Sequence, residues 1–115
     1  MKRGDVVIVD FPFTSGAQSK IRPALVVQND RDNRKLSKTI VVMITGNLRR
    51  KGESTHMLVD PGDPAAASSG LHGPSLVSCV NVYTIDQASV KQIIGNLSQA
   101  AMKSVDVCLR EALGV

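Results

Sequence analysis

The hydrophobic period changes once along this chain, near residue 98, and that change limits the folds open to it. Beyond it, Met102, Val105, Leu109, Ala112 and Leu113 recur at helical spacing, with Ala101 and Cys108 flanking the stripe. Ser98 stands before the stripe as an N-cap, and Gly114 follows it at the position where a positive φ is common. The spacing predicts a helix over Gln99 to Leu113. Upstream, the apolar residues come in short β-branched runs bounded by Gly, Pro, Asn and Asp. These predict strands at Val6 to Phe11, Ala24 to Gln28 behind Pro23, Thr39 to Ile44, His56 to Val59, Ser75 to Val82 and Val90 to Leu97. The last is weakened by Gly95. Asn29 to Lys38 reads as a charged turn and Gly46 to Ser54 as a basic loop. Asp60 to Pro74, rich in Pro, Gly, Ala and Ser, reads as the longest loop, one that packs poorly. Many short strands and one terminal helix predict a mainly β architecture: a small, partly open barrel with a helix closing one end. At 115 residues the expectation is one domain, 1–115. The strand order is not dictated.

Composition narrows the function. Two Phe, one Tyr and no Trp argue against binding nucleic acid by stacking bases on an aromatic platform. A net charge of +4 favours a polyanionic partner, met through hydrogen bonds and charge. Cys79 and Cys108 lie in apolar surroundings, outside any Cys-x-x-Cys unit, and read as buried thiols of a reducing compartment; a disulfide between them is the alternative. No apolar stretch is long enough to span a membrane and no signal-peptide core follows the N-terminus, so the expected location is the cytoplasm.

Two side chains carry the chemistry. Arg22 precedes Pro23, which restricts Arg22 to extended geometry and so fixes the flanks of a planar, always-charged fork. Such a group suits a phosphate, or the charge that builds on a phosphorane. It reads equally as a surface ion pair with Asp10 or Asp5. Thr45 ends an apolar strand before Gly46, and its hydroxyl can meet a phosphate oxygen or a ribose 2′-OH; it is also an ordinary strand-end residue. Lys20, Arg49, Arg50 and Lys51 supply two basic loops that can track a nucleic-acid backbone or simply face solvent. Gln18, Asn47 and Asn81 can read base edges, and are equally common loop residues. His56 reads as a half-exposed strand residue rather than a base, and His72 as inert. No metal-ligand spacing is present, and neither a metal nor a cofactor is expected.

The string Arg3-Gly4-Asp5-Val6-Val7, then Asp10-Phe11-Pro12-Phe13, then Lys20-Ile21-Arg22-Pro23-Ala24 through Asp30, resembles the start of the MazF/PemK (Kid) toxin family. Val42-Met43-Ile44-Thr45 is similar to its third-strand motif. Ser75 through Tyr83-Thr84-Ile85-Asp86 resembles its later strand and turn. The resemblance implies an SH3-like (CcdB/PemK-type) barrel that forms homodimers through an apolar strand or helix face. It implies a metal-independent, sequence-specific endoribonuclease acting on single-stranded RNA, chiefly mRNA. It also implies a cognate antitoxin with an acidic, disordered segment laid across the RNA groove. The family's catalytic Arg and Thr fall on Arg22 and Thr45. By that analogy the ribose 2′-OH attacks the neighbouring phosphorus, leaving a 2′,3′-cyclic phosphate and a 5′-OH. There are departures. The loop before Arg22 is shorter and lacks a Glu found in many members, Val80-Asn81 replaces a frequent Glu-Gln, and Tyr83 replaces a frequent Arg. Base preference is therefore expected to differ. Two alternatives are a CcdB-like toxin of the same fold that poisons DNA gyrase, and a barrel that binds RNA without cutting it.

Overall fold

The computed structural model describes residues 1–11 and 20–115. Six strands form one antiparallel sheet: β1 (Asp5–Phe11), β2 (Lys20–Val26), β3 (Lys38–Thr45), β4 (His56–Val59), β5 (Ser75–Asp86) and β6 (Val90–Asn96), in the order β4-β5-β3-β2-β1-β6. A short helix α1 (Asp30–Lys35) joins β2 to β3, and α2 (Gln99–Leu113) ends the chain. β4 and β6 are the two edges and do not pair with each other, so the barrel is partly open, as expected.

Both faces of the sheet are buried at its centre, which accounts for the near-continuous apolar runs in β1, β2 and β3. One core lies between the sheet and α2: Val6, Leu25, Val42, Ile44, Val59, Val77 and Cys79 meet Met102, Val105 and Cys108. The other lies inside the curl of the sheet and holds Val7, Val9, Phe11, Ala24, Val26, Val41 and Ile85. The ring of Phe11 on β1 reaches that of Tyr83 on β5, centroids 5.1 Å apart and tilted by 59°. Those strands are three places apart in the sheet, about 14 Å if it were flat, so this contact exists because the sheet coils on itself. Arg3 ties α2 to the N-terminus. Its Nη2 donates to Asp106 Oδ1 at 2.6 Å and its Nε to the Val27 carbonyl at 2.8 Å.

α2 has the predicted bounds, with Ser98 Oγ accepting from Ala101 N and Gly114 at φ 72°. Four segments differ from expectation, one of them β5, which runs to Asp86 rather than ending at Val82. The charged turn at Asn29–Lys38 contains α1: the Asn29 side chain caps Asp32 N, with Asp30 and Asp32 in the first turn and Arg34 and Lys35 in the last. β2 starts at Lys20 rather than Ala24. Pro23 then falls where β2 is paired with β1 alone, and a missing N–H is tolerated there. The Asp60–Pro74 loop packs after all, because Pro64–Ser69 forms a 3-10 helix capped by Asp63 and seated on β6. A Cβ on Gly95 would lie 2.3 Å from the Ser68 carbonyl oxygen, and one on Gly70 would lie 2.0 Å from that of Ile94. Gly95 thus admits a close backbone approach rather than interrupting the strand.

Candidate functional site

The site forms where β2 and β3 part. Their last pair is Ala24 with Met43. Beyond it, β2 continues to Lys20 against β1 only, and β3 to Thr45 against β5 only. Two residues out from that pair stand Arg22 on one strand and Thr45 on the other. Alternation puts both on the face that carries Ala24 and Met43. Arg22 pairs with Val9, whereas Asp10 pairs with Ile21 and faces the other way.

β5 breaks its ladder beside this end. Met43 pairs with Ser78 but Val42 pairs with Val82, so one step on β3 matches four on β5, and Cys79, Val80 and Asn81 form a bulge. An open cleft of about 240 Å³ lies there, lined by Met43, Thr45, Asn47, Arg49, Arg50, His56, Leu76, Ser78 and Asn81. Its rim is held by local turns. Thr45 Oγ1 accepts the Asn47 N–H at 3.1 Å, and Asn47 Oδ1 accepts the Arg49 N–H at 3.0 Å. With one lone pair of Thr45 occupied in this way, its own O–H remains to donate into the cleft.

The cleft floor is a chain of hydrogen bonds. Thr55 Oγ1 lies 2.9 Å from His56 Nδ1, His56 Nε2 lies 3.0 Å from Ser78 Oγ, and Asn81 Nδ2 donates to Ser78 Oγ at 2.8 Å. Charge at the rim is uneven. Arg50 Nη1 reaches both Glu53 oxygens at 3.3 and 3.4 Å, while Lys20, Arg22 and Arg49 form no ion pair among the described residues. Both cysteines are free and buried. Burial first, and then the neighbouring Cys108 thiol, pushes Cys79 up to about 12. Burial likewise raises Cys108. Neither thiol is a nucleophile at neutral pH.

Residues 2–113 match the model of a family described as PemK-like, MazF-like toxins of type II toxin–antitoxin systems. The chain belongs to that family. It is 32% identical over 116 residues to endoribonuclease EndoA of Bacillus subtilis, covering 100% of this chain and 96% of that protein. It is 29% identical to endoribonuclease MazF of Staphylococcus saprophyticus, covering 100% and 92%. Among solved structures, Mycobacterium tuberculosis toxin MazF-mt6 superposes with a TM-score of 0.78 at 26% identity, covering 96% of this chain and 97% of that one.

In this MazF-like toxin, five residues singled out from sequence line one cleft: Thr45, Asn47, Arg49, Arg50 and Asn81. Arg22 and Lys20 lie outside its lining, on the adjacent end of β2, both exposed. Gln18 lies outside the described residues. The ion pair of Arg22 with Asp5 or Asp10 does not form. Asp10 projects to the opposite face, and Asp5 accepts the Lys2 N–H at 2.8 Å. His56 is not half-exposed but buried, at 9% exposure, with both ring nitrogens engaged. Ser78 was not found by sequence reasoning. Only the bulge that turns Asn81 back onto it reveals its place, and no motif marks a bulge. Among the described residues no helix is long and apolar enough to cross a membrane.

Proposed function

We propose that this toxin is an endoribonuclease that cleaves single-stranded RNA, chiefly mRNA, at a preferred sequence. The observation that carries this reading is the shared face of Arg22 and Thr45 at the parted ends of β2 and β3, beside a cleft whose rim carries Arg49, which forms no ion pair among the described residues. The relatives named endoribonuclease, matched over 96% and 92% of their length, support it. In the reaction the ribose 2′-OH gives up its proton to solvent as its oxygen bonds to the adjacent phosphorus, and the bond to the 5′-oxygen breaks. That oxygen takes up a proton, and the products are a 2′,3′-cyclic phosphate and a 5′-OH. Arg22 offsets the charge that accumulates on the phosphorane, and the Thr45 O–H donates to a non-bridging oxygen. Arginine surrenders its own proton poorly, so its role is electrostatic. Lys20, Arg49 and Arg50 hold the backbone, while Asn47, Asn81 and Gln18 meet base edges. Charge compensation comes from side chains, so the reaction needs no metal.

The partner implied by a type II system is an antitoxin, whose acidic, disordered segment would compete for the same cations. The toxin acts in the cytoplasm as one domain, 1–115, and as a homodimer. Exposed Val80 and Val82 on β5 and Val107 and Leu113 on α2 supply apolar surface for association. The test is incubation with long single-stranded RNA in EDTA, with the ends mapped. Cleavage by the wild type and its loss in Arg22→Ala are expected, and equal cleavage by both overturns the reading. Binding with a steep salt dependence but no product would identify a non-catalytic RNA-binding barrel. Capture of gyrase without nuclease activity would identify a CcdB-like poison.

A further inference from the structure

We propose that Ser78 and His56 are positioning residues that lock the carboxamide of Asn81, and thereby decide whether one nucleotide position accepts amino bases or keto bases. The proposal rests on the reading of the cleft as an RNA site. It begins with a proton count. Ser78 is 2% exposed, and its Oγ meets two groups, Asn81 Nδ2 at 2.8 Å and His56 Nε2 at 3.0 Å. A hydroxyl has one proton to give, and an amide nitrogen accepts none. Ser78 therefore accepts from Asn81, and among the described residues the one acceptor in reach of its own proton is His56 Nε2. Leaving that proton unpaired in the interior is costly, so Nε2 is bare and His56 carries its hydrogen on Nδ1. Nδ1–H then donates to Thr55 Oγ1 at 2.9 Å. The four groups form one directed chain: Asn81 to Ser78 to His56 to Thr55.

The direction matters to a base. With one N–H of Asn81 held by Ser78, its Oδ1 and remaining N–H form a fixed acceptor–donor edge. Adenine and cytosine offer an amino donor beside a ring-nitrogen acceptor. Guanine and uracil offer a carbonyl acceptor beside a ring N–H donor. Each class complements a carboxamide, but in opposite order. An asparagine turning freely about its terminal torsion, which is broad and nearly two-fold, serves both classes. Here the amide turns over only if the Ser78 hydroxyl, the His56 tautomer and the Thr55 hydroxyl all reverse with it. The chain therefore acts as a latch on base choice. Asn81 touches the base, and Ser78 and His56 act through Asn81.

The experiment measures kcat/KM on single-stranded RNAs that differ at one nucleotide near the cut, amino base against keto base. At one position the wild type should discriminate by about 5- to 150-fold, the range of a single bidentate base contact. Asn81→Ala and Ser78→Ala should each collapse that ratio while ratios at other positions stand, and the double variant should collapse it no further. A mere loss of structure would lower rates at every position alike. Retention of the ratio in Ser78→Ala, or in Asn81→Ala, overturns the proposal. A second measurement needs no variant: ¹⁵N NMR of the His56 ring should show Nδ1 protonated and Nε2 bare, and the opposite tautomer overturns the latch. A wild type that cuts no RNA defeats the nuclease reading, while the His56 tautomer still decides whether the chain is directed as stated.

Discussion

Replacing Thr45 with valine keeps a β-branched shape at the end of β3 and removes one hydroxyl. The structure separates the two consequences. On the folding side, the change removes the acceptor of the Asn47 N–H, a bond of 3.1 Å. Asn47 is exposed, so water replaces that acceptor. The loss is about 0.5–1.5 kcal/mol, a fall in Tm of several degrees for a chain this size. On the catalytic side, the proposed role of the missing O–H is to donate to a phosphorane oxygen. Losing one such donor costs about 10²–10³ in kcat, or about 3–4 kcal/mol of barrier. The barrier effect exceeds the folding effect, so Thr45→Val should be folded at assay temperature and nearly inactive. Thr45→Ser, which restores the hydroxyl, should recover most of the rate. Single-turnover cleavage of a short RNA in EDTA, with thermal unfolding followed in parallel, reads both quantities. A folded Thr45→Val that cuts within about tenfold of the wild type would refute the donor role.

Three other outcomes are expected. Arg49 forms no ion pair among the described residues whereas Arg50 is shared with Glu53; Arg49→Ala should therefore reduce the salt slope of RNA binding by about 0.7, the single-strand value per phosphate, and Arg50→Ala by less. Equal slopes would show that Glu53 does not compete with RNA. Gly95→Ala places a Cβ 2.3 Å from the Ser68 oxygen and 2.4 Å from the Ser69 carbonyl carbon, so β6 and the 3-10 helix must separate; a loss of about 1–3 kcal/mol in urea unfolding is expected, and none would contradict the close approach. Cys79 is raised from 9.0 to about 12 in the folded chain. Between those values the unfolded thiol has shed its proton and the folded one has kept it, so the unfolded state binds fewer protons. Stability therefore falls as pH rises, by at most about 1.4 kcal/mol per unit from this group. Cys79→Ala should flatten that part of the pH curve, and an unchanged slope would mean the buried thiol is not its source.

What could be read from sequence divides along a physical line. Strand cores and α2 follow from local pattern: β-branched runs, a helical stripe, a serine cap, a terminal glycine. α1 was legible too, since Asn29 three residues before Asp32, acids first and bases last are helix signals, but the density of charge made the segment read as a turn. Gly95 misled because a glycine in a strand weakens it or admits a neighbour, and only the tertiary packing of Ser68 and Ser69 decides which. Arg22 and Thr45 were legible as types. Their shared face depends on the register between β2 and β3, which no local pattern encodes. The distant partner of His56, Ser78, lies on β5, 22 residues away, and was out of reach for the same reason.

The bulge in β5 explains why a site exists at this end of the sheet. One face of the sheet is covered by α2 and the other is filled by its own curl, and at this end polar side chains converge where the ladder fails. Extending the Met43–Ser78 pairing without a bulge would set Asn81 opposite Ile40, about 10 Å along the strand from Ser78. With Cys79, Val80 and Asn81 inserted, Asn81 instead folds back to within 2.8 Å of Ser78 and faces the same cleft as Thr45. Burying Cys79 in the core beneath α2 while exposing Val80 and Asn81 holds the insertion in place. The parting of β2 from β3 does the equivalent work on the other side, freeing Arg22 from a ladder that would have packed a neighbour against it. Under the proposed nuclease reading, the two irregularities supply complementary halves of one surface: charge for a phosphate from the parted strands, and a directional amide for a base from the bulge.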